Sequence, residues 1–203
     1  MNEASAVTTR IDRSHRRILL DVAARAVHHA LLTGRRQLPD PRALPPELRA
    51  PAATFVTLDR DGELLGCIGT LEARQPLAVD VAHNALAAAF SDPRVPPITH
   101  DDYVHMAIKI SVLSERERLA VASYDDVIRA IRPDVDGLVL EAGIHRATLL
   151  PSVWPNVRDD AQFVEIVWRK AGLVPGTWPT GCQVSRYTTD EFTDPGPRRH
   201  HAS

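Results

Sequence analysis

"TFVTLDRDGELLGCIGTL", residues 54–71, and "QPLAVDVAHNALAAAF", residues 75–90, together decide the fold. The first stretch alternates around Asp61-Gly62, the local signal for a tight turn between two antiparallel strands. The second places Pro76 at a first helical turn and runs an apolar stripe through Leu77, Val81, Ala85, Ala88 and Ala89, so a helix follows the hairpin. Cys67 then falls near the end of the second strand, in "GCIG", with Gly66 and Gly69 beside it.

Upstream, "DRSHRRILLDVAARAVHHALLTG" has apolar residues at helical spacing, Asp12 or Ser14 to cap its start and Gly34 to end it. Prolines make residues 38–51 a loop. Downstream, Pro93, Pro96 and Pro97 predict a turn-rich connection through "SDPRVPPITHDDY". It leads into a strand, "HMAIKISVLS", whose Met106, Ile108, Ile110 and Val112 share one face.

A short helix in "YDDVIRAIRP", a second hairpin in "DGLVLEAGIHRATLLP", an amphipathic helix in "DDAQFVEIVWRKAGL" and a last strand in "CQVSRYTT" complete the pattern. Hairpins interleaved with helices predict an α+β fold with a mostly antiparallel sheet and packed helices. Residues 1–13 read as a flexible N-terminus, 14–193 as one domain and 194–203 as a disordered tail with little apolar content to hold it.

The 203 residues carry a formal net charge of −2, which offers no bulk attraction to nucleic acid or an anionic membrane. There is no apolar run of membrane-spanning length and no secretory leader pattern, so a cytoplasmic protein is expected. Cys67 and Cys182 form no C-x-x-C pair and are expected to be free thiols. No histidine or cysteine spacing predicts a metal site, "GCIG" is no phosphate loop, and no cofactor is expected.

Four phrases taken in order, "GCIGTLEARQPLAVDVAHNALAAAFSDPRVPP", "KISVLS", "DGLVLEAGIHRATLLPSVW" and "RKAGL…W", resemble the AMMECR domain family, also known as AmmeMemoRadiSam system protein A. The resemblance covers residues 14–193. It implies one AMMECR-type domain with a larger and a smaller lobe and a cleft between them. It also implies partners, a Memo-like protein and a radical S-adenosylmethionine enzyme, while the family's own reaction is not established. The family usually has arginine where this chain has Leu65, so a cation present elsewhere is missing from that position here.

Cys67 is the leading candidate for chemistry. The glycines allow close approach of a ligand, and a helix N-terminus near Pro76 would favour the thiolate. The competing reading is a small buried residue in a bend. A base would have to come from His83, His105 or His145, and His145 is favoured because it lies in the family-like "GIHRATLLP".

Gly66, Gly69, Asn84, Asp92 and Arg94 are candidate ligand-binding residues. For Asp92 and Arg94 an ion pair that locks the loop is the alternative. Arg146 and Thr148, two apart on one strand, share a face that either lines an anion pocket or is merely solvated. Trp154, Trp168 and Trp178 read as core anchors.

Two functions follow. One is a binding or accessory component that takes a small ligand or a partner. The other is an enzyme with a site centred on Cys67 and His145 in the cleft, acting on a small or peptide substrate.

Overall fold

The computed structural model describes residues 10–198, which form two compact units: residues 10–113 with 190–198, and residues 114–189. Helices and antiparallel sheets coexist in both, so the fold is α+β. Among the described residues no helix is long and apolar enough to cross a membrane.

The first unit begins with α1 (Arg13–Thr33), capped by the Asp12 carboxylate and ended by Gly34 in the left-handed region. Leu19, Ala23, Ala26 and Val27 are its buried residues, spaced to make one face. Residues 41–43 and 46–49 form short 3-10 turns within the proline-rich loop. Then β1 (Thr54–Arg60) and β2 (Glu63–Gly69) pair across Asp61 and Gly62, whose φ angles of 54° and 85° are those of a primed hairpin turn.

Helix α2 (Leu77–Phe90) buries most of its circumference, because it packs on β1 and β2 and also against α1. Its alanines let these surfaces approach closely. Val56 and Leu58 of β1 and Ile108 and Ile110 of β3 (Ala107–Leu113) are fully buried in the same core.

Two expectations for this unit are corrected. The connection after Pro97 contains a helix, α3 (His100–His105), started by a capping box in which Thr99 and Asp102 satisfy each other's backbone amides. The prolines stop short of it, so they leave Thr99 free to cap. The second correction concerns residues 189–198. A further strand, β8 (Thr189–Asp194), joins the sheet beside β3 to give the order β2-β1-β3-β8. Beyond it, the Arg198 amide donates to the Val104 carbonyl at 2.8 Å. Residues 194–198 of the expected disordered tail are therefore held by main-chain and arginine hydrogen bonds, which a count of apolar residues does not register. Residues 199–203 of that tail, and residues 1–9, lie outside the described residues.

The second unit holds the sheet β4-β7-β5-β6, made of β4 (Glu117–Arg118), β5 (Gly137–Ala142), β6 (His145–Leu149) and β7 (Gln183–Tyr187). Helices α4 (Tyr124–Ala130) and α5 (Asp160–Lys170) complete it, and its core contains Val127, Leu138, Leu140, Phe163 and Trp168. Trp154 stacks on Phe163 at a centroid distance of 4.0 Å, and the indole N–H groups of Trp154 and Trp168 donate to the carbonyls of Asp136 and Thr177. These tryptophans are core anchors with their polar edges satisfied.

Candidate functional site

A bulge decides where Cys67 points. Counting from the turn, Arg60 pairs with Glu63 and Asp59 with Leu64, but the register then shifts, so that Leu58 pairs with Gly66 and Thr57 with Cys67. Leu65 is the extra residue. Without it Cys67 would face Val56, which is fully buried beneath the helices. The shift moves the thiol to the other face of the sheet, because side chains alternate with a period of two.

On that face Thr57 stands opposite Cys67 on one side and Lys109 on the other, so the three residues form a row across β2, β1 and β3. The Thr57 hydroxyl donates to Cys67 Sγ at 3.2 Å. Lys109 Nζ lies 3.9 Å from Glu191 on β8, and Ser111 donates to the same carboxylate at 2.8 Å. The row is polar and half-buried. Thr57, Lys109 and Glu191 were missed by sequence reasoning, because register across three strands is not visible in any one of them.

The glycines beside Cys67 answer to packing. A Cβ on Gly66 would stand 2.0 Å from the Ala88 carbonyl oxygen, so this glycine lets the backbone of α2 settle on β2. A Cβ on Gly69 would stand 2.2 Å from the ring of Phe55, which faces it across the ladder. Both close approaches are made by the chain itself.

Asp92 and Arg94 fasten the main chain of Cys67. The Cys67 amide donates to Asp92 Oδ2 at 2.9 Å, and Arg94 donates to the Cys67 carbonyl at 2.8 Å. The Arg94 guanidinium also holds the Asp92 carboxylate at 2.7 Å. Hydrogen bonds from that guanidinium, helped by the amides of Cys67 and Arg94, keep the Asp92 carboxyl well below the usual carboxylate range despite its burial. Arg94 is raised by the same contact, and 58% of its side chain is exposed. Thus the pair locks the loop while the outer edge of the guanidinium remains open to solvent. Leu65 itself packs, partly buried, against the core of this unit.

Asn84 belongs to a buried network that lies on the helix side of the sheet. Its amide donates to Asp80 at 2.9 Å and to the carbonyl and hydroxyl oxygens of Thr54 at 3.0 Å. The Asp80 carboxylate also accepts from the Thr54 amide and hydroxyl, from Thr70 and from Gln75. Asp80 is 1% exposed and Asn84 2%, so this network ties β1 to α2 and leaves no open surface for a ligand.

His145, Arg146 and Thr148 lie in the second unit, on β6. His145 Nδ1 is 2.9 Å from the Ala171 carbonyl at the end of α5, and Arg146 pairs with Glu141 across the hairpin at 3.2 Å. The Thr148 hydroxyl donates to the Leu138 carbonyl and meets the Tyr187 hydroxyl at 2.7 Å. Within its unit each has a structural partner. His83 is exposed, and His105 Nδ1 meets the Asp101 carbonyl at 3.0 Å. Both cysteines are free thiols, and burial pushes Cys182 above the ordinary thiol range. Among the described residues no group of three or more histidine, cysteine, aspartate or glutamate side chains is placed to hold a metal ion.

Fold and site define an α+β protein with an antiparallel sheet that is packed by helices on one face and carries a thiol in a polar row on the other. The chain belongs to the AMMECR1 family, whose model matches residues 20–192. It is 35% identical over 188 residues to a protein of Methanothermobacter thermautotrophicus, covering 92% of this chain and 97% of that one. It is 33% identical to Protein PF1979 of Pyrococcus furiosus, with 89% and 88% of the two chains covered. The crystal structure of PH0010 from Pyrococcus horikoshii is similar to it at a TM-score of 0.84 and 31% identity, over 92% of this chain and 95% of that one.

Proposed function

We propose that this AMMECR1-family chain is a cytoplasmic binding component that takes a small ligand or a partner segment on the sheet face around Cys67, and that it acts with a Memo-like protein and a radical S-adenosylmethionine enzyme. One observation carries the reading: the thiol is hydrogen-bonded by the Thr57 hydroxyl, and among the described residues of its own unit neither His83 nor His105 hydrogen-bonds it. A nucleophilic thiol is ordinarily activated by a base in contact with it. Here the neighbours are the Thr57 hydroxyl and the Arg94 guanidinium, which suit recognition of an anionic or polar group.

The alternative, an enzyme that uses Cys67 as nucleophile, draws support from the place of the thiol in a half-buried polar row rather than in the core. Replacing Cys67 with serine separates the two readings. The binding role expects a folded variant that keeps its function in cells and still co-purifies with the two partners. A folded variant that keeps its partners and loses function supports the enzyme. Failure of the unaltered chain to co-purify with either partner would remove the accessory role.

A further inference from the structure

Helix α1 carries a second stripe that flanks its core face, with Leu20 and Ala24 partly buried at the boundary. Arg13, Arg17, Leu20, Ala24 and His28 recur at steps of three and four residues and so lie along one side. They line a groove of about 630 Å³ together with Tyr103 and residues between Phe192 and Arg198. The size is that of a small-molecule site. Part of the lining is apolar, and the His28 ring lies nearly flat on Tyr103, with centroids 4.8 Å apart and planes inclined by 11°.

The charge lining the groove is lopsided, with five arginines against two aspartates. Both aspartates are already engaged, Asp21 by Arg25 at 2.7 Å and Asp194 by Arg198 at 2.9 Å, while Arg16 is held by Asp190 at 2.6 Å. Arg198 is 8% exposed on its side chain, also donates to the Met106 carbonyl, and leaves its Nε without an acceptor among the described residues. Arg13 and Arg17 are exposed and have no ion-pair partner among the described residues.

Helix physics disfavours that placement. Like charges one turn apart repel each other, and at the positive end of the helix dipole the capping Asp12 carboxylate is already engaged by Ser14 and His15 rather than by Arg13 or Arg17. Two unpaired guanidinium forks at the mouth of a partly apolar groove match phosphate oxygens in charge and geometry.

We propose that this groove binds a small phosphorylated organic molecule, with Arg13 and Arg17 on the phosphate and the Leu20, Ala24 and His28–Tyr103 surface against its planar or apolar body. The site is independent of the Cys67 face.

Titrating the full chain with adenosine 5′-monophosphate, and separately with inorganic phosphate, tests it by calorimetry and amide chemical shifts. Saturable one-to-one binding of the nucleotide is expected, tighter than phosphate alone, with shifts at Arg13, Arg17 and His28. The double variant Arg13→Ala, Arg17→Ala removes two exposed side chains and should fold normally, yet bind at least about tenfold more weakly. Absence of saturation at millimolar nucleotide, or equal binding by the double variant, would overturn the proposal. So would an affinity for single-stranded oligonucleotides that climbs with length, which would make the groove a nucleic-acid track.

Discussion

Thr57 and Cys67 stand directly opposite each other in the β1–β2 ladder, and the threonine hydroxyl donates to the thiol sulfur at 3.2 Å. The contact exists because a single extra residue, Leu65, shifts the register between the turn and the cysteine. It gives the sulfur a hydroxyl donor fixed by the ladder itself.

Replacing Thr57 with valine keeps the branched shape and removes that donor. Alkylation of Cys67 by iodoacetamide at pH 8 should slow by about two- to tenfold, the worth of one neutral hydrogen bond. Cys182 serves as the internal reference, because burial raises its thiol and its rate should keep growing with pH beyond the ordinary thiol value of about 8.5. Peptide mapping by mass spectrometry reads both. An unchanged Cys67 rate would mean that the hydroxyl does not bond the sulfur in solution.

Asp92 makes a prediction about acid. Its folded carboxyl lies below its unfolded value, chiefly through Arg94, so its contribution is fully present above the unfolded value of about 3.9 and is lost as pH falls towards the folded one. Asp92→Asn should cost about 2 kcal/mol at pH 7. The gap between variant and parent should narrow below about pH 4. Urea unfolding at pH 7 and at pH 3 measures it, and a gap that widens in acid contradicts the assignment.

Gly66→Ala places a methyl group against the backbone of α2, 2.0 Å from the Ala88 carbonyl oxygen. Neither partner is a flexible side chain. The substitution should therefore destabilise by about 3 kcal/mol or more, at the upper end for an overpacked core. A thermal midpoint within two or three degrees of the parent would show that α2 moves away freely.

Asp80→Ala strands buried donors. The Thr54 amide and the Asn84 amide both lose an acceptor inside a region that is 1–2% exposed at Asp80 and Asn84. A loss of about 3 kcal/mol is expected. In a double-mutant cycle with Asn84→Ala the two losses should be far from additive, because the side chains share one network. Strict additivity would dissolve the network.

Much of the local structure was legible because its causes are local. Asp12 and Gly34 bound α1, Asp61-Gly62 turns the first hairpin, and the stripe from Leu77 to Ala89 is buried throughout. The helix at Thr99 is hidden in the sequence by the prolines before it, although Thr99 and Asp102 spell a capping box. Strand β8 escaped because Phe192 is its one buried residue, and a mostly polar strand resembles a tail until its neighbour β3 is known.

The candidate site was legible in part. For Asp92 and Arg94 the residues alone leave a locking pair and a binding pair open, and their geometry serves the lock while Arg94 keeps an open edge. Asn84 stands near them in sequence, yet it sits in a buried network with Asp80. In sequence Gly66 and Gly69 suggest room for a ligand, and that room is taken by Ala88 and Phe55.

By itself the sequence determined the hairpins, the helix faces, the α+β class and the resemblance to one family, since turn chemistry and apolar periodicity act over a few residues. Tertiary structure alone decided which face of the sheet Cys67 occupies. An ideal hairpin would send the thiol under α2, and the bulge at Leu65 sends it to the opposite side, beside Thr57 and in line with Lys109. A one-residue shift inverts every side chain beyond it, and only pairing with a neighbouring strand reveals the shift.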